Sequence, residues 1–116
     1  AIIEAAETPE KRFSKHVVRD RFISIPFFSD RPFALSKFEH FLNQQLSENI
    51  FRAKGILWFE GQPTRYIFQL AGKRFSLQPD SRQRPTQNQL VIIGRQLDIL
   101  KIHQQLSNCL TRTFSL

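Results

Sequence analysis

At 116 residues and 41% hydrophobic content, the chain is one domain with enough apolar residues for a real core. No apolar run approaches the ~20 residues that a membrane-spanning helix needs, and the single cysteine, Cys109, excludes an intramolecular disulfide. The net charge of +7 is uneven: residues 61–116 hold eight Lys/Arg against two Asp/Glu, whereas residues 1–60 hold nine against eight.

Residues 1–16 mix Ala, Glu, Thr, Pro and Lys without periodicity, and Pro9 stops any helix begun at Ile2. They read as a linker or the end of a preceding domain, with the domain itself over 17–116. The chain lacks methionine and begins at Ala1, which predicts a piece of a longer polypeptide and makes the rest of that polypeptide a candidate partner. Residues 21–28 predict a strand, and Pro26 within it donates no ladder hydrogen bond, which favours an edge position or a bulge. Ser29-Asp30-Arg31-Pro32 is a turn, with Arg31 kept out of the helical region by the following proline.

Leu35, Phe38, Phe41, Leu42 and Leu46 recur at helical spacing and predict an amphipathic helix over about 35–47. A strand over 50–60 follows. Alternation assigns Phe51, Ala53, Gly55, Leu57 and Phe59 to a packed face on which a helix can lie closely. It assigns Arg52, Lys54, Ile56 and Trp58 to a presenting face. Gly61-Gln62-Pro63 turns the chain into strands over 66–70 and 74–78, and the tight Ala71-Gly72-Lys73 connection makes these a hairpin. Residues 79–88, polar apart from proline, predict a loop before a strand over 89–94. Asp98 is a good N-cap for a last helix whose stripe is read as Leu100, His103, Leu106 and Leu110.

This order predicts an α+β two-layer sandwich: a mixed or antiparallel sheet of four to five strands with helices on one face and the other face open or covered by a neighbour. The twelve Phe residues against one Tyr and one Trp point to core packing.

Enzymatic signatures are absent from the sequence. The glycines Gly55, Gly61, Gly72 and Gly94 are scattered, and no phosphate-cradling G-x-x-x-x-G-K-[ST] occurs. His16, His40, His103 and Cys109 form no metal-ligand pair; Cys109 reads as a small buried hydrophobe, His40 as a surface residue and His103 as partly buried. No catalytic, cofactor-binding or metal-binding residue is assigned. One thiol and no signal-peptide pattern at Ala1-Ile2-Ile3-Glu4 predict a reducing, cytoplasmic setting.

The run Lys54-Gly55-Ile56-Leu57-Trp58-Phe59 has a superficial likeness to the RNA-recognition strand, but Ile56 stands where a base-stacking aromatic is needed.

Four segments in order carry a more specific likeness: Ser29-Asp30-Arg31-Pro32-Phe33; Arg52-Ala53-Lys54-Gly55 with Trp58; Gln89-Leu90-Val91-Ile92-Ile93-Gly94-Arg95-Gln96-Leu97-Asp98; and Leu106 with Cys109-Leu110. Together they resemble the C-terminal domain of the CobW family, over about residues 20–111. The resemblance implies a small α/β domain joined to an N-terminal P-loop GTPase domain, in proteins regarded as metallochaperones that use GTP to deliver zinc or cobalt and are associated with cobalamin synthesis and zinc homeostasis. GTP and the divalent metal are then implied for the parent protein, not for this stretch. Its implied partners are that GTPase domain and a client metalloprotein, with no membrane. Some relatives carry a His-rich stretch before the first strand; here only Lys15-His16 stands there.

The residues expected to make the contact are Arg52, Lys54 and Trp58, extended by Arg95. Set against this is local pairing of Arg52 and Lys54 with carboxylates such as Glu60. The alternative function is a stand-alone basic module binding nucleic acid or another polyanion through Arg65, Lys73, Arg74, Arg82, Arg84 and Arg95, with nucleic acid disfavoured. A self-associating structural module is a third reading.

Overall fold

A computed structural model describes residues 21–112; the linker expected over 1–16, and with it Lys15 and His16, lies outside them. The elements in order are β1 (Ile23–Ser29), α1 (Leu35–His40, continuing as a π-helical turn over Phe41–Gln45), β2 (Ile50–Leu57), β3 (Arg65–Ala71), β4 (Arg74–Asp80), β5 (Asn88–Gly94) and α2 (Ile99–Ser107). The fold is α+β, with one five-stranded sheet in the order β1-β5-β2-β3-β4. All four strand pairings are antiparallel.

β1 pairs only with β5 and is an edge strand, which accommodates Pro26. The β3–β4 connection is the two-residue Gly72-Lys73 turn, and Gly72 adopts φ +63, as a type II′ hairpin requires at that position.

The buried face of the sheet carries Ile25 and Phe27, Leu90 and Ile92, Ala53 and Leu57, and Phe68 and Leu70. Phe38 of α1 meets the Phe68 ring edge-on at 5.3 Å, and Phe41 and Leu42 are buried beside it. From α2, Ile102 and Leu106, and from the turn just past it Cys109, join the same cluster. His103 packs its ring on Phe27 and donates from Nε2 to the Pro26 carbonyl at 3.1 Å. Asp98 caps α2 by accepting from the Lys101 N–H.

At the centre stands Phe33, fully buried in the loop after β1. Its ring stacks on Phe27 and Phe38 at 5.9 and 5.0 Å and leans on Phe59 at 6.3 Å. Its backbone N–H donates to the Trp58 carbonyl, and its carbonyl accepts from Glu60. The neighbouring residues complete the knot. Ser29 Oγ accepts from the Arg31 N–H, Asn88 Nδ2 donates to the Arg31 carbonyl, Ala34 donates to the Cys109 carbonyl, and Thr111 donates to the Pro32 carbonyl. Asn88 is fully buried, yet both ends of its amide are satisfied, because its Oδ1 accepts from the Trp58 N–H at 2.7 Å.

Five local expectations are corrected. Phe51 does not share the packed face. A register shift between Ile50 and Arg52 inserts one residue, so Ile50 is buried and Phe51 is 38% exposed. Gly55 is not kept small for a helix: a Cβ there would strike the Gln89 carbonyl oxygen of β5, and one at Gly94 would strike that of Asn49. The 79–88 loop is shorter, since β4 runs to Asp80 and β5 starts at the buried Asn88. On α2, Leu100 is 83% exposed, and the buried stripe is Ile102 and Leu106, continued by Cys109 in the turn after the helix, at spacings of four and three. Leu100, two positions before Ile102, lies about 200° round the helix. α1 is also shorter than expected: its last turn is π-helical and ends at Gln45.

Phe33→Ala removes a fully buried ring on which three others lean, at an expected cost of about 3–5 kcal/mol, against about 0.5 kcal/mol or less for Phe28→Ala at an exposed position. Urea melts of the two variants check this; equal midpoints would refute the central role of Phe33.

Candidate interaction surface

Antiparallel pleating sends alternate side chains to the second sheet face, and the register fixes which ones lie side by side. One cross-strand row is Ser24, Ile93, Arg52, Ala71 and Arg74; the next is Pro26, Val91, Lys54, Gln69 and Ser76. Arg52, Lys54 and Arg74 are exposed there. They line a shallow hollow of about 540 Å³ together with Gln69, Ser76 and Ile93. Among the described residues no carboxylate pairs with Arg52, Lys54 or Arg74, so the expected alternative of local pairing with Glu60 is not what the side chains do.

The four residues named from the sequence do not form one cluster. Arg52 and Lys54 share the hollow. Trp58 lies beyond the far end of β2, half-buried, with its backbone N–H and carbonyl taken by Asn88 and Phe33. Arg95 follows the end of β5, where its guanidinium lies 4.7 Å from the Phe22 ring centroid and 5.6 Å from that of Phe51. These two rings meet edge-on at 5.2 Å. Arg95 thus clasps the entry to β1 and the bulge of β2. Local sequence pattern does not assign Arg74, Gln69 and Ser76 to this face. The tight turn already set Arg74 opposite Ala71, but only the β2–β3 pairing sets Ala71 beside Arg52.

Two of the basic residues considered for polyanion binding are engaged elsewhere. Arg65 Nε donates to Asp80 Oδ2 at 3.0 Å, and Arg82 Nε donates to Asp80 Oδ1 at 2.8 Å. These bonds, that of Arg82 above all, hold the buried Asp80 carboxyl well below the usual carboxylate range, against the opposing effect of burial.

Cys109 is buried, and desolvation pushes its thiol up to about 11 although the charge of Lys37 works the other way. Its Sγ lies 3.3 Å from the Gln105 carbonyl oxygen and 3.4 Å from that of Lys37. Among the described residues no three His, Cys, Asp or Glu side chains come together as a metal site, and no helix is long and apolar enough to cross a membrane.

Two outcomes follow from these environments. Asp80 has a lowered pKa in the folded chain, so its contribution is complete above about pH 4 and is lost as pH falls through the lowered value. Asp80→Asn should therefore be destabilised at pH ~7, with the gap to the parent chain narrowing at pH ~2.5; equal gaps in urea melts at both would contradict this. Iodoacetamide should alkylate Cys109 at least about tenfold more slowly in the folded chain than in urea, and equal rates would place the thiol in solvent.

The profile of the cobalamin synthesis protein cobW C-terminal domain matches residues 22–110. Among solved structures, the Zn(II)-bound YjiA GTPase from E. coli is similar at 27% identity with a TM-score of 0.64, over 78% of this chain and 30% of that one. A Zn(II)-bound triple mutant of YjiA GTPase is similar at 27% identity with a TM-score of 0.65, over the same shares. No curated protein matches. The chain thus spans about 30% of the length of the GTPase it resembles. With the family profile covering 22–110 and the fold shared with YjiA, the chain belongs to the cobalamin synthesis protein cobW C-terminal domain family.

Proposed function

We propose that this chain is a non-catalytic accessory domain of a CobW-like, GTP-dependent metallochaperone, and that it acts by contact with the GTPase domain, a client protein or both. The observation that carries this reading is the division of labour in the sheet. One face belongs to a single core cluster that takes residues from both helices, and the other presents Arg52, Lys54 and Arg74 without a carboxylate partner among the described residues. Exposed cations contribute little to folding stability, but they steer and orient a charged partner. The helices of this layer arrangement lie on the buried side, leaving the cationic side for a neighbour.

GTP and a divalent metal, zinc or cobalt, belong to the parent protein in this reading, as does its cytoplasmic setting. The zinc of the YjiA GTPase structures supports a metal-handling parent. The polyanion alternative is weakened by Asp80, which already accepts from Arg65 and Arg82 and offsets part of their charge. Trp58 and Arg95 stabilise the scaffold around the contact more directly than they extend it, given their backbone and ring partners.

The double charge reversal Arg52→Glu with Lys54→Glu in the parent protein is expected to change GTPase rate or client binding by about tenfold while leaving the melting temperature nearly unchanged. Wild-type behaviour in both assays would reject the reading.

A further inference from the structure

The hollow is more specific than a generally basic surface. Neighbouring strands lie about 4.8 Å apart and residues two apart on a strand about 6.8 Å apart, so Arg52 and Lys54 are spaced by ~7 Å and Arg52 and Arg74 by ~10 Å. Between Arg52 and Arg74 in the row is Ala71, which leaves the floor low; Gln69 and Ser76 complete the next row with an amide and a hydroxyl. Asp80 is the one Asp or Glu within the five strands, and it is committed to Arg65 and Arg82. The positions beside the cations on this face are Ile93, Val91, Ile56 and Ile67, all half-buried and all β-branched.

We infer that the hollow receives an extended acidic segment of a partner protein. Carboxylates at alternate positions of that segment face Arg52 and Lys54, and a further one reaches Arg74. An extended chain repeats its same-side groups every ~7 Å, the pitch of Arg52 and Lys54. Guanidinium groups bind carboxylates through paired donors, which favours the two arginines as the orienting contacts. The aliphatic neighbours suit the apolar side chains of a peptide. A single-stranded nucleic acid would need a row of aromatic platforms on which to stack bases. Of the exposed rings nearby, Phe75 lines the hollow but leans on the core ring of Phe68 at 6.3 Å, and Phe28 stands at the β1 edge of the face. The positions flanking the cations are aliphatic. The inference rests on the sheet face being a contact surface, and it names the chemistry of what touches it.

The test is fluorescence anisotropy of the full 116-residue chain with three labelled probes at low and moderate salt. These are a peptide of alternating glutamate and valine, a peptide of the same composition with its glutamates in one block, and a deoxythymidine oligonucleotide. The alternating peptide is expected to bind most tightly and to weaken as salt rises. Arg74→Gln and Arg74→Glu should each weaken it by about tenfold, with far-ultraviolet circular dichroism confirming that both variants fold.

Absence of binding at low salt, equal binding of the blocked peptide, tighter binding of the oligonucleotide, or indifference to Arg74 would each overturn the inference. Failure here, with an altered GTPase rate in the Arg52/Lys54 reversal, would remove the acidic segment alone. Peptide binding together with a silent reversal in the parent protein would instead remove the proposed function.

Discussion

The burial of Phe33 is the constraint on which the rest of this domain depends. Its ring is the meeting point of β1, α1 and the segment after β2, through Phe27, Phe38 and Phe59. A buried loop is costly unless its backbone is hydrogen-bonded, and here the partners come from three distant segments: Trp58 to Glu60, Asn88, and Cys109 to Thr111. Proline before Phe33 disfavours a helical Arg31, and Ser29 bonds the Arg31 backbone locally. The segments that carry the family likeness around residues 29–33, Trp58 and Cys109 are therefore parts of one knot and not separate markers.

That knot fixes which sheet face is core. With Phe33 and Phe38 packed against Phe27 and Phe68, the pleat sends Ala53 and Leu57 inward and Arg52 and Lys54 outward. Close packing of strand backbones around Gly55 and Gly94 reinforces the arrangement, because neither site has room for a Cβ beside the neighbouring carbonyl. The sheet then sorts its cations by partner. Asp80 takes Arg65 and Arg82, the Phe22 and Phe51 rings take Arg95, and Arg52, Lys54 and Arg74 are left to line the hollow.

Much of the fold was legible in local pattern. Alternation in β2 separated Ala53, Gly55 and Leu57 from Arg52, Lys54 and Ile56, and the Gly72-Lys73 turn announced its hairpin. Pro26 pointed to an edge, and Asp98 marked the start of α2. Errors arose where one residue resets a phase. The bulge at Ile50–Arg52 turned Phe51 out of the core, and on α2 two apolar residues in the first turn, Ile99 and Leu100, obscured the true stripe. The candidate site was half legible. Arg52 and Lys54 lie on one strand two residues apart, a local relation, whereas Arg74 joins them only across two strand boundaries.

The sequence by itself determined the α+β class, the two-faced character of β2 and the family, because side-chain periodicity and short motifs are local properties of the chain. Tertiary structure alone decided which cations are engaged within the domain. That outcome depends on strand order and register, which bring Arg82 to Asp80 and Arg95 to two rings, and set Arg74 one strand beyond Ala71 from Arg52. Charge is written in the sequence, but whether a charge is satisfied is a matter of which side chains long-range pairing has placed within a few ångströms of it.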